Sequence, residues 1–114
     1  MSSTGQPSAT MQSVFSCSVA RAGSRVTADV IGEIDGASAG QFRNLLLTIA
    51  KEHPAVIVVN MANASLLDNK SLAVLIEVWR FTQEHGIELT VTSPGASVRR
   101  VFDVAPSGRL LTLR

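Results

Sequence analysis

Ala55-Val56-Ile57-Val58-Val59 is the run on which the reading of the fold turns. Its β-branched residues are continuous and apolar toward both faces, so it reads as a central strand covered on both sides. On its N-terminal flank, Phe42, Leu45, Leu46, Ile49 and Ala50 recur at helical spacing, which predicts an amphipathic helix over 38–52. Ser38 or Asp35 can cap that helix, and Pro54 ends it. On its C-terminal flank, Asn60 to Leu67 reads as a connection of mixed character. Asp68 then precedes a second helical pattern over 69–84, with Leu72, Leu75, Ile76 and Trp79 on one stripe. Gly86, just after His85, supplies a left-handed stop.

Further out, Val14 to Val19 is short and β-prone, and Ala22-Gly23-Ser24 is a turn signal. Arg25 to Ile31 alternates, with Val26, Ala28 and Val30 on one side, so the two segments predict a hairpin. Gly32-Glu33-Ile34-Asp35-Gly36 breaks that period. Toward the C-terminus, Ile87 to Val91 alternates like a strand and Pro94-Gly95 is a turn. Ser97 to Val104 reads as a short helix and Leu110 to Leu113 as a last strand. The order is β-β-α-β-α-β-α-β. Strands separated by helices imply parallel, right-handed crossovers. The expected class is α/β, with a mixed four- to five-stranded sheet and helices packed against it.

The chain has 114 residues, which fits one domain. Residues 1–13 carry six Ser or Thr and no charge, a composition that does not offset its ordering entropy, so 1–13 is expected to be a flexible tail and 14–114 the domain. Hydrophobic residues make up 46% and charged residues 17%, enough apolar surface to bury a core. A net charge of +1 and an aromatic content of 4% argue against a nucleic-acid partner and against bulk attraction to an anionic membrane. No apolar run reaches the roughly 18 residues of a bilayer span, and the N-terminus lacks a secretory pattern. The expected compartment is the cytoplasm, with no direct membrane insertion.

Catalytic constellations are not apparent. His53 and His85 both fall at predicted helix ends, where the negative terminus accounts for them, and neither is placed to serve a Ser. Two His and one Cys give no zinc-type spacing, so no metal is expected. Gly36-Ala37-Ser38-Ala39-Gly40 lacks the phosphate-loop pattern. Cys17 reads as a small strand hydrophobe. Asp35 and Asp68 follow strands at one sheet edge and could form an acid/base pair, but a turn residue and a helix cap are the commoner uses.

Four segments resemble STAS domains, the family that includes anti-sigma factor antagonists. Val30-Ile31-Gly32-Glu33-Ile34-Asp35 is similar to the family's "GELD" signature, and Asn60 to Asp68 to its "DLSxVxFxD" stretch, with Asp68 at the second acid. Leu72-Ala73-Val74-Leu75 is similar to "LxVL", and Val98 to Asp103 to the late "VxRxFE" helix. The resemblance covers roughly 14–113. It implies a STAS-like α/β module without catalytic activity or cofactor. It also implies binding to an anti-sigma factor of the GHKL serine-kinase type, so that a sigma factor is freed.

In such proteins the kinase phosphorylates a Ser or Thr just after the Asp that matches Asp68. Here the sequence is Asp68-Asn69-Lys70-Ser71, so Asn69 and Lys70 bring no hydroxyl to the acceptor positions. Three readings stay open: an antagonist that is not switched off at the usual site, Ser71 as a substitute acceptor, or a partner that is not a kinase. The expected partner-binding residues are Asp35, Asp68, Asn69, Lys70 and Ser71, together with the exposed face of the 69–84 helix. An alternative role is that of a soluble STAS subunit of a membrane ABC transport complex, gripping its ATPase. An enzymatic role in phosphoryl transfer through Asp68 or Ser71 lacks a phosphate cradle.

Overall fold

The computed structural model describes residues 15–114, so the expected tail over 1–13 lies outside the described residues. The elements are β1 Phe15–Ala22, β2 Arg25–Ile34, α1 Ala39–Ala50, β3 Val56–Leu67, α2 Asn69–Glu84, β4 Glu88–Thr92, α3 Ala96–Val104, a 3-10 turn Pro106–Leu110 and β5 Thr112–Leu113. The strands form one five-stranded sheet in sequential order, β1-β2-β3-β4-β5. β1 is antiparallel to β2, and the other neighbours are parallel. The hairpin closes through Gly23-Ser24, with Gly23 at φ 61°, as a two-residue loop with glycine first requires.

Each crossover steps one place in the same direction. Right-handed connections of that kind gather the helices on one face. That face supplies Val26, Ala28, Val30, Ile57, Val59, Met61, Leu89 and Val91 to a single core with Phe42, Leu46, Ile49, Leu72, Leu75 and Val78. The other face of the central strand is buried too, as expected of a strand covered on both sides, at Val58 and at Thr90 beside it. Val58, on the opposite face, is 5% exposed but stands outside the core cluster. Its cross-strand neighbours are Thr27 and Thr90, and beside it Asn60 Nδ2 donates to Asp29 Oδ1 (2.7 Å).

The largest departure from expectation is in β3. The segment 60–67 continues the strand and is no connection. Two register shifts against β2 let β3 take one extra residue each, between Asp29/Ile31 and between Gly32/Glu33. Each extra residue resets the pleat, so burial recurs every third residue, at Met61, Ala64 and Leu67. Alternation disappears from the sequence although the strand does not. β2 likewise runs through its glycine, Gly32 at φ 93°, to Ile34.

Smaller corrections follow from packing. The last strand shortens to Thr112–Leu113, because Gly108 presses the 3-10 turn onto α3. A Cβ on Gly108 would lie 2.8 Å from Phe102 Cα, closer than backbone allows. α1 stops at Ala50, before Pro54. Gly86, at φ 69°, follows the end of α2 in the left-handed conformation expected of it.

Candidate functional site

The C-terminal ends of β2 and β3 each lead into a short acidic turn and then a helix. In the first turn, Asp35 Oδ1 accepts from the N–H groups of Ala37 (3.0 Å) and Ser38 (3.2 Å). The Asp35 carbonyl accepts from Ser38 N–H (3.0 Å) and Ala39 N–H (2.8 Å). Ser38 is buried, and its Oγ accepts from Asp35 N–H (3.0 Å) while donating to the Glu33 carbonyl (3.2 Å). Asp35 thus supplies the first N–H partners of α1. Ser38 holds the turn from inside without a side-chain cap bond of its own.

In the second turn, Asp68 is the N-cap of α2, and its Oδ1 accepts from Ser71 N–H (2.8 Å). The backbone carbonyl of Ile34 joins the two turns. It accepts from Asp68 N–H (3.2 Å) and from Ser71 Oγ–H (3.0 Å). Ser71 is 0% exposed, so its hydroxyl is inside the domain and already committed. Asn69 and Lys70 are exposed. The Lys70 stem lies over the Asp35 turn, its Cδ 3.8 Å from where a Cβ on Gly36 would stand. Asp35, Asp68, Asn69, Lys70 and Ser71 are therefore neighbours at one end of the sheet. The two carboxylates are used as backbone acceptors, the cap and turn reading of these acids.

Sequence reasoning missed two apolar residues at this end. Ile31 and Leu66 are 41% and 43% exposed, large side chains on the bulged stretches of β2 and β3. Alternation from Val30 already turns Ile31 outward, whereas Leu66 follows from the register shifts, which no local pattern in its own strand discloses. The exposed side of α2 also borders an open groove of about 620 Å³ against α1. Arg43, Leu47, Ile76, Glu77, Arg80 and Phe81 line it. Arg43 Nη2 and Glu77 Oε2 pair across it at 2.6 Å.

Elsewhere, Cys17 is half-buried on β1. Burial pushes its thiol pKa up, and the negative charge of Asp29 adds to that, so it is a weak nucleophile near neutral pH. Among the described residues no group of three or more His, Cys, Asp and Glu could hold a metal ion. No helix among them is long and apolar enough to cross a membrane.

Fold and site together describe a small α/β domain that presents two pinned acidic turns and a helix N-terminus on one sheet edge. The STAS domain family model matches residues 19–113, and the chain belongs to that family. No curated protein sequence matches it significantly. Among solved structures it is similar to an anti-sigma factor antagonist from Mycobacterium paratuberculosis, at 17% identity, covering 88% of this chain and 85% of that one with a TM-score of 0.80. It is also similar to the Bacillus cell fate determinant SpoIIAA in its phosphorylated form, at 18% identity, 89% and 91% coverage and a TM-score of 0.67. A putative anti-sigma factor antagonist from Thermotoga maritima matches at 17% identity, 87% and 84% coverage and a TM-score of 0.71. At these identities the likeness is one of fold.

Proposed function

We propose that this chain is an anti-sigma factor antagonist that binds an anti-sigma factor of the GHKL serine-kinase type and frees a sigma factor in the cytoplasm. It acts by docking, with no bond made or broken on the chain and no cofactor. The docking surface comprises the Asp35 turn, Asp68 to Ser71 and the exposed face of α2. The observation that carries the reading is the double use of the Ile34 carbonyl, which locks the two turns into one preformed edge. A preformed edge loses little conformational entropy on binding.

The same geometry supports an antagonist that is not switched at the usual position. Asn69 and Lys70 offer no hydroxyl, and Ser71 Oγ is buried and bonded. Phosphorylating Ser71 would require first breaking its bond to Ile34 and unfolding the first turn of α2. Lys70 adds an exposed positive charge, which favours an acidic patch on the partner.

The test is a titration of the full chain against a GHKL anti-sigma factor of the same organism, followed by phosphate-affinity gels after incubation with ATP. The expected result is a complex that persists with ATP, and no shifted band. A shifted band at Ser71 would overturn the unswitched reading. No complex with any such factor, together with co-purification with a membrane ABC complex, would instead favour the transport-subunit role.

A further inference from the structure

The chain contains two histidines, and the fold brings both to one place. His53 follows α1 and His85 is the C-cap of α2, at the end of the sheet where β3 and β4 begin, opposite the acidic turns. Their ring centres are 5.4 Å apart, with the planes tilted by 53°. Both residues are exposed. We propose that His53 and His85 form a two-histidine site for a tetrahedral divalent transition-metal ion, Zn²⁺ above all, with water completing the coordination.

Three observations carry this. The first is the spacing. An ion about 2.05 Å from one nitrogen of each imidazole lies about 3.2 Å from each ring centre, and a tetrahedral angle then sets the centres about 5.2 Å apart. Adjacent positions of a square-planar ion would set them only about 4.5 Å apart. The observed 5.4 Å agrees with the tetrahedral case.

The second is the tautomer. His85 Nδ1 lies 2.8 Å from the Phe81 carbonyl oxygen. A carbonyl only accepts, so Nδ1 carries the proton, and in the neutral ring Nε2 then carries the free lone pair. Metal-binding histidines are usually held this way, the second ring nitrogen donating to a fixed acceptor. Stacking on Phe81, with ring centres 4.2 Å apart, fixes the ring plane further.

The third is the backbone. His53 sits at φ 56°, and among the described residues Ser93 is the other non-glycine with a positive φ. A non-glycine residue in this region is strained, and such strain clusters where a side chain must be aimed. His85 also caps the C-terminal end of α2, which carries no basic residue in its last turn and whose partial negative charge favours a cation.

The bound ion would tie the turn before β3 to the end of α2. With two protein ligands, the expected Kd is about 1–100 µM, roughly half the binding free energy of a four-ligand structural site.

The test is calorimetric titration of ZnCl₂ into the full-length, tag-free chain near neutral pH, alongside ¹⁵N spectra of the imidazole rings. The expected result is one Zn²⁺ per chain, a coordination shift at His85 Nε2 and a retained Nδ1–H signal. His53→Gln and His85→Gln should each weaken binding at least about tenfold, because losing an outer-shell partner alone costs about that much. Cys17→Ser should leave binding unchanged. Both residues are exposed, so the variants should still unfold cooperatively, and each is compared with its own metal-free melting curve. Absence of saturable binding and of the Nε2 shift, or binding that survives the double histidine variant, would overturn the proposal.

Discussion

Where β2 and β3 finish, the side-chain oxygens of Asp35, Ser38, Asp68 and Ser71 turn back onto the chain's own backbone. Where β3 and β4 begin, the rings of His53 and His85 stand exposed beside a backbone held at φ 56°. The first end uses its polar groups to make a rigid shape. The second commits His85 Nδ1 to the Phe81 carbonyl and leaves Nε2 outward, beside a strained backbone at His53. A surface that docks a macromolecule gains from the first arrangement, because little is left to order on binding. A site for a small ion needs the second, because its ligands must not already be spent.

The sharpest way to break this contrast is to put charge where the first end holds a neutral hydroxyl. Ser71→Asp buries a carboxylate at a position that is 0% exposed and places it against the Ile34 carbonyl. The variant should lose about 3 kcal/mol or more in urea unfolding. Lys70→Glu, one residue away and exposed, should stay within about 0.5 kcal/mol of the parent. If Ser71→Asp were as stable as Lys70→Glu, the hydroxyl would not be an internal tie, and a switch at Ser71 would be back in play.

Asp68→Ala tests the same end less severely. It removes the acceptor for Ser71 N–H and should cost about 1 kcal/mol. It should also weaken the proposed complex with an anti-sigma factor by loosening the edge. A loss of affinity with no loss of stability would mean that Asp68 touches the partner directly.

At the other end the sign reverses. His53→Gly places the residue that tolerates a positive φ where one is imposed. Relief of left-handed strain exceeds the added freedom of the unfolded chain, so stability should rise by about 0.5–1 kcal/mol in metal-free solution. The same change should abolish any rise in Tm on adding Zn²⁺. Strain that disappears together with a binding function is the signature expected of an aimed ligand.

These two ends differ too in how far the sequence discloses them. Asp68 ahead of a helical stripe is local information, and it is the N-cap of α2. The run from Val56 to Val59, the Gly23 turn and the Gly86 stop are local in the same sense, and all three stand in the structure. The second half of β3 was illegible because its extra residues have meaning only against β2, a separate stretch of chain. The histidine pair joins residues 32 positions apart, so no spacing rule finds it.

Between the two ends, α1 and α2 are tied by Arg43 and Glu77, and pH reads how much of that tie is charge. The hydrogen bond from Arg43 holds the Glu77 carboxyl below its usual pKa; slight burial opposes this, and Coulomb attraction adds to it. A carboxyl with a folded pKa below its unfolded one contributes stability above the unfolded value and loses it as pH falls through the folded one. Both side chains are largely solvated, so the effect is small and screened by salt. Glu77→Gln should therefore lower Tm by about 1–2 °C at most near neutral pH. The gap should close below about pH 4, where the parent carboxyl is itself becoming neutral. If it stayed open in acid, the tie would rest on packing of the Arg43 stem along the groove, and Arg43→Ala should then cost more than Glu77→Gln at every pH.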